Sequence, residues 1–202
     1  MIAIIDYGVG NLFSLQSSFR AIGQEAEVTA DPDRLRQADR VILPGVGAFG
    51  DAAEKLKRSG MDEAVRLEAS SGKPLMGICL GMQLLFEKSY EYGEHVGLGL
   101  LKGSILPMAG RLPEGLKIPQ MGWNALKIRK PSALLKNTRE GDCVYFVHSY
   151  SATGCEDSLL AEVEYGIDIT ACVGRGNVFG CQFHPEKSGS VGLNILEAFC
   201  RL

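Results

Sequence analysis

The stretch KPLMGICLGMQLLF, Lys73 to Phe86, joins an apolar run of strand length to a helix-like pattern through a cysteine with a glycine two residues to either side. An apolar run without polar alternation reads as a strand buried on both faces, and a helix after it, in place of a hairpin turn, makes that strand parallel to its neighbours. The spacing Gly77-x-Cys79-x-Gly81 is that of a nucleophile elbow, a sharp strand-to-helix turn. Such a turn crowds the positions two before and two after its centre, so residues without a Cβ are favoured there. Cys79 then stands at a helix N-terminus, where free N–H groups and the backbone dipole favour thiolate over thiol. On this segment alone the competing reading of Cys79, a small core residue behind a buried strand, stays open.

Working outward, IAIID (2–6), AEVT (26–29) and RVILPG (40–45) repeat the buried-strand pattern. NLFSLQSSFRAI (11–22), DPDRLRQA (31–38), MDEAVRLEAS (61–70) and GMQLLFEK (81–88) read as helices between and after the strands, with Asp31 as N-cap and Pro32 at the first helical position. The second half changes character. LGLLKGSILPM (98–108), GWNALKI (122–128), CVYFVHSY (143–150), LLAEVEY (159–165), IDITACVG (167–174) and VFGCQFH (178–184) follow one another as strands, with a tight turn at YGIDI (165–169) and a closing helix at SVGLNILEAFCRL (190–202). The expected fold is α/β: an open, mostly parallel sheet flanked by helices, with an antiparallel portion in the second half. KSYEYGEH (88–95) and AGRLPEG (109–115) read as surface loops near a partner or a substrate.

A chain of 202 residues, 46% hydrophobic, buries a sizeable core, and without repeat, linker or low-complexity tract it is expected to form one domain over 1–202. The net charge of −3 and scattered basic residues give no footprint for nucleic acid or an anionic membrane. Arg34/Arg36 and Lys127/Arg129/Lys130 read as solvated faces. The opening run MIAIIDYG is too short to span a bilayer and lacks a basic flank, so it reads as a strand, and a cytoplasmic protein is expected. Six cysteines, with no C-x-x-C pair and no zinc-type histidine spacing, predict neither disulfides nor a metal site.

A cysteine nucleophile needs a base, and the base needs an orienting group. Of the three histidines, His184 ends an apolar run in FGCQFHPEKS (179–188) just before Pro185, and Glu186 follows closely enough to turn back on the imidazole. His95 reads as a surface residue, and His148 in YFVHSY (145–150) as a strand-end residue able to line the site. An oxyanion hole is the remaining requirement. Its expected donors are the Leu80 N–H and a flexible segment on the same rim, LPGVGAFG (43–50). Neither this segment nor DYGVGNL (6–12) fits G-x-G-x-x-G, which rejects dinucleotide binding; no cofactor is expected.

Together PGVGAFG, GICLGMQLLF and FGCQFHPEKS resemble the triad-type, class I glutamine amidotransferases. DYGVGNL, IPQMGWN, YFVHSY and Lys187-Ser188 are similar to one branch of them, glutaminase subunits of histidine biosynthesis that work with a (β/α)8-barrel cyclase. The resemblance implies glutamine hydrolysis through a Cys79 thioester, with His184 as base and later acid and Glu186 as its orienter. It further implies substrate or oxyanion contacts at Gly45, Val46, Gly47, Gln83 and the His148-Ser149-Tyr150 segment. A partner interface is implied at Asn11, Met121, Trp123, Asn124, Tyr145 and Lys187. The same resemblance implies that the resting subunit is a poor glutaminase. Glycines at 45 and 47 make a flip of the peptide before Val46 cheap, and a missing oxyanion donor costs roughly 2.7–4 kcal/mol. The rival readings are another triad amidotransferase, a non-catalytic module with a redox-sensing Cys79, and an esterase, whose nucleophile is usually serine.

Overall fold

In the computed structural model, which describes residues 1–202, the first half alternates strand and helix: β1 (Ile2–Ile5), α1 (Leu12–Ala21), β2 (Ala26–Thr29), α2 (Pro32–Gln37), β3 (Arg40–Leu43), α3 (Phe49–Arg58), α4 (Met61–Ser70), β4 (Leu75–Ile78) and α5 (Leu80–Leu84). Strands dominate the rest: β5 (Lys88–Ser89), β6 (His95–Val96), β7 (Ser104–Pro107), β8 (Gln120–Ile128), β9 (Cys143–His148), β10 (Tyr150–Thr153), β11 (Leu159–Glu164), β12 (Asp168–Arg175), β13 (Val178–Cys181) and, last, α6 (Gly189–Phe199). Nine strands form one sheet in the order β2-β1-β3-β4-β13-β12-β11-β8-β9, and four form a smaller one, β10-β7-β5-β6. From β2 to β13 the pairing is parallel, and from β13 to β9 antiparallel, as the change in sequence character predicts.

Strand alternation divides the core into two layers. Ala3 and Ile5 face α2, α3 and α4, whereas Ile2 and Ile4 face α1 and α6. Both faces are therefore covered, which is why these strands read as unbroken apolar runs. Asp31 caps α2 by accepting the Asp33 N–H at 2.9 Å, with Pro32 following. Of the basic residues read as solvated, Arg36 pairs with Asp33 at 2.9 Å and Lys127 with Asp168 at 2.9 Å, whereas Lys130 donates to the Glu156 carbonyl at 2.8 Å.

Three expectations need correction. The helix after the elbow stops at Leu84, because Lys88 and Ser89 leave it to pair with β6 and β7. KSYEYGEH is accordingly not a plain surface loop: it supplies β5, the start of β6 and the buried Glu91 between them. The run CVYFVHSY breaks at Ser149, with β9 in the large sheet and β10 in the small one. Helix α3 was not expected, since the glycine-rich approach to it reads as loop.

Candidate active site

The parallel pairing of β4 with β13 sets Ile78 opposite Cys181 at the center of the large sheet. The residues that leave these two strand ends, Cys79 and those through His184, emerge on one rim, the carboxyl edge where open α/β sheets place their sites. Two hydrogen bonds fix the emerging backbones: the Cys79 N–H donates to the Cys181 carbonyl at 2.7 Å, and the His184 N–H to that of Tyr145 at 3.0 Å.

Cys79 adopts φ 55°, ψ −113°, a strained conformation for a residue with a side chain. The flanking glycines make the turn possible. A Cβ on Gly77 would lie 2.6 Å from the Gly81 carbonyl oxygen, and one on Gly81 only 1.8 Å from that of Leu43. Gly45 belongs to the same packing rather than to the cavity wall, since its own Cβ would meet the Gly81 nitrogen at 2.7 Å.

His184 is buried, and its Nδ1–H donates to Glu186 Oε1 at 2.8 Å, which leaves Nε2 as the ring nitrogen free for the thiol. Burial works against the imidazolium, but the Cys79 sulfur and the Glu186 carboxylate outweigh it and push the His184 pKa up to about 9. His148 behaves oppositely. Its Nδ1–H donates to the Tyr150 carbonyl at 2.8 Å, and burial, with the nearby His184 charge, lowers its pKa to about 4. One ring is thus a charged partner and the other a neutral one.

Beside Cys79 opens a cavity of about 540 Å³, within the range of small-molecule sites. Val46, Gly47, Leu80, Gln83, His148, Ser149 and Tyr150 all line it. The backbone N–H groups of Leu80, Val46 and Gly47, residues that line the cavity with Cys79, engage no protein acceptor and are free to donate. Gln83 spends its amide N–H groups on the Tyr150 carbonyl at 3.2 Å and on Gln182 Oε1 at 3.0 Å.

Several residues here were given no role by the sequence, although Tyr7 and Gln182 lie within the stretches DYGVGNL and FGCQFHPEKS. Gln182 bridges Gln83 to the Cys79 sulfur, donating to the sulfur at 3.9 Å. Tyr7 donates from its hydroxyl to the Pro44 carbonyl at 2.8 Å, and Glu91 and Tyr92 close the cavity from the segment read as a loop. His95, expected at the surface, is half-buried with its ring against Gly50.

The residues expected at an interface divide between the two faces of β8, with Asn124 on the side of Gln120 and Met121 and Trp123 on the other. Met121 and Trp123 are 64% and 55% exposed on the outward face of β8, so Trp123 is no core anchor. Its ring meets that of Tyr145 edge-on at 6.0 Å, and Lys187, next in sequence to Glu186, is exposed. Asn11 and Asn124 are half-buried: Asn11 caps α1 through the Ser14 N–H at 3.4 Å, and Asn124 accepts from Gln120 at 3.0 Å.

Residues 3–201 match the family model described as Glutamine amidotransferase class-I. The chain belongs to this family. Within it, the chain is 54% identical over 204 residues to the imidazole glycerol phosphate synthase subunit HisH of Wolinella succinogenes, covering all of both chains. It is 48% identical to the subunit of the same name from Bacillus subtilis, covering 100% of this chain and 96% of that one. The amidotransferase fold also appears in solved structures of low identity. "Structure of PurLQS from Thermotoga maritima" superposes with TM-score 0.78 at 21% identity, covering 99% of this chain and 97% of that one. "Crystal structure of glutamine amidotransferase" gives 0.76 at 20%, covering 99% and 100%.

Proposed function

We propose that this amidotransferase, one domain over residues 1–202, is the glutaminase subunit of an imidazole glycerol phosphate synthase and works in the cytoplasm. The observation that carries the reading is the meeting of Cys79, His184 and Glu186 beside one cavity, with the imidazole already held by the carboxylate at 2.8 Å. No helix of the chain is long and apolar enough to cross a membrane.

In this reading the Cys79 sulfur attacks the carboxamide carbon of glutamine while His184 Nε2 holds the thiol proton. The carbonyl oxygen gains charge and is met by the Leu80 N–H and by an N–H from Val46 or Gly47. Collapse of the tetrahedral species breaks the C–N bond, and His184 protonates the departing nitrogen as ammonia. Water then hydrolyses the thioester to glutamate, with His184 taking a proton from it. Gln83 and the His148-Ser149-Tyr150 segment hold the substrate's amino-acid end.

Ammonia in water is protonated at neutral pH and loses its nucleophilic lone pair, so direct transfer to an acceptor subunit is favoured. The acceptor is a (β/α)8-barrel cyclase that docks on Met121, Trp123, Tyr145, Lys187, Asn11 and Asn124. Their joint products are imidazole glycerol phosphate and aminoimidazole carboxamide ribotide. The test is glutamate formation by wild type and Cys79→Ala, with and without the cyclase and its ligand. Abolition by the substitution and strong stimulation by the liganded partner are expected; brisk turnover by Cys79→Ala would refute the thioester.

A further inference from the structure

Besides Glu186 Oε2, two buried acceptor atoms on the facing strands β8 and β9 have no donor. Gln120 is wholly buried and His148 is 7% exposed, and neither Gln120 Oε1 nor His148 Nε2 has a hydrogen-bond partner. The two residues stand directly opposite each other where β8 pairs with β9, so their side chains share the inner face of the sheet as neighbours. The remaining polar atoms of both are committed. Gln120 Nε2 donates to Asn124 Oδ1 at 3.0 Å, and His148 Nδ1–H to the Tyr150 carbonyl at 2.8 Å. The orphans are therefore lone pairs in fixed positions, and a buried acceptor left unmet costs about 1–3 kcal/mol. No direct bond joins them, and a small group with two donor hydrogens set between these facing side chains would meet both.

We propose that Gln120 and His148 form a binding site for uncharged ammonia, the first station of the nitrogen after it leaves the Cys79 site. This rests on the glutaminase reading above. The chemistry of the pair selects the ligand. Ammonia offers three N–H donors, enough to meet both lone pairs. The pair itself is neutral, because burial keeps His148 unprotonated. The pair itself holds no carboxylate, so an ammonium ion bound there would meet no opposite charge from it. The pair thus retains the form whose lone pair still reacts.

Position agrees. His148 is close enough to His184 for its charge to act on it, and His184 is the group that hands the proton to the departing nitrogen. Beyond Gln120 the same face of β8 continues past Gly122, where an added Cβ would meet no atom within 4 Å, to the half-buried Asn124. Met121 and Trp123 stand exposed on the opposite face of this strand. The row His148, Gln120, Asn124 thus runs along the face of β8 opposite Met121 and Trp123 and ends at Asn124, itself one of the residues proposed to meet the partner.

The site is tested by running the first half-reaction backward. Ammonia held beside the thioester attacks the acyl carbon, the C–S bond breaks, the sulfur leaves as thiolate, and the surplus proton on nitrogen passes through His184 to the sulfur. The product is glutamine carrying the new nitrogen. The full chain is incubated with glutamine and ¹⁵N-ammonium chloride, and ¹⁵N entering glutamine is divided by glutamate formed. In wild type this ratio is expected to rise and saturate with ammonium.

Gln120→Leu should lower the ratio about tenfold at subsaturating ammonium while the KM for glutamine stays within twofold. Gln120→His, which restores an acceptor, should recover at least half of the ratio. Should the leucine variant not fold, Gln120→Ser is read in the same way. Absence of ¹⁵N exchange in wild type, an unchanged ratio in the leucine variant, or an effect confined to KM would overturn the ammonia site. Cys79→Ala reports separately: continued glutamate formation there defeats the glutaminase reading itself, whatever Gln120 does.

Discussion

Glu91 accepts the backbone N–H of Phe49 at 2.6 Å across 42 residues of sequence, from a carboxylate that is itself buried against the cavity. At the other end of the same segment the Pro44 carbonyl is held by the Tyr7 hydroxyl at 2.8 Å. Residues 45–48 are thus pinned at both ends, while none of their N–H groups meets a protein acceptor in between. Gly47, at φ +95°, lies in the free span. A segment anchored this way can reorient one peptide without moving its ends, which is what a switchable oxyanion donor requires.

Removing the Glu91 anchor should therefore damage catalysis more than substrate capture alone would explain. A hydrogen bond to a charged group contributes about 1.5–3 kcal/mol. Glu91→Ala is expected to lower the glutaminase kcat about ten- to a hundredfold, with Glu91→Gln, which keeps an acceptor oxygen, losing less. Steady-state kinetics of both variants check this. An effect on KM alone, with kcat intact, would show that Glu91 does not anchor the segment.

The two site histidines predict a dome in stability against pH. His148 has its pKa lowered to about 4, so between that value and its ordinary 6.5 the unfolded chain binds the extra proton and stability rises with pH. His184 has its pKa raised to about 9, so its contribution is full below 6.5 and is lost as pH climbs through 9. Each flank amounts to about 3 kcal/mol at most, at 1.36 kcal/mol per unit. Denaturant unfolding from pH 4 to 9 should show the maximum near 6.5. His148→Gln should flatten the acid flank and His184→Asn the alkaline one; a wild-type profile flat from 6.5 to 9 would contradict the His184 assignment.

The sheet, the sharp turn at Cys79 and the return of Glu186 onto His184 were legible in the sequence because all depend on local pattern. Continuous apolar runs report strands covered on two faces, Gly77 and Gly81 report the crowded turn, and Pro185 with Glu186 reports a chain that leaves its strand and doubles back. Contacts between distant segments left no such trace. Glu91 binds Phe49 from a stretch that reads as polar loop, and Tyr7 and Gln182 act through a carbonyl and a sulfur supplied by other strands. The elbow helix was overextended for the same reason: Leu85 and Phe86 continue its apolar pattern, but the pairing of Lys88 with β6 and β7 decides where it ends. Helix α3 was hidden by Gly45, Gly47 and Gly50, although Phe49, Ala52 and Leu56 carry helical spacing and are all buried.

The glycines of the rim should separate packing from conformation. At Gly81 an added methyl meets the Leu43 carbonyl at 1.8 Å, and the next nearest atoms are also backbone, of Leu43 and Pro44, which cannot yield as a side chain could. Gly81→Ala is expected to cost about 3 kcal/mol or more, the upper end for overpacking. At Gly47 an added methyl meets nothing within 4 Å, and only the positive φ is strained, at about 1–2 kcal/mol. Gly47→Ala should therefore fold with a modest loss in Tm while glutaminase activity falls, because the segment can no longer reorient freely. Equal thermal losses in the two variants would contradict the distinction.

Trp123 offers the sharpest test of where the partner docks. Its ring is 55% exposed and touches the Tyr145 ring edge-on at 6.0 Å, so in the isolated chain it covers little and its removal forfeits only one aromatic contact. Met121 extends the same outward face of β8 at 64% exposure, and an apolar pair held out in water contributes to stability only when a second surface covers it. Buried aromatics at the center of an interface cost 2 kcal/mol or more on truncation, about thirtyfold in Kd. Trp123→Ala should leave the unfolding free energy of the free chain within about 1 kcal/mol of wild type. It should weaken binding to the cyclase at least thirtyfold in titration calorimetry. A variant that binds as tightly as wild type would move the docking face away from β8 and with it the direction in which ammonia leaves.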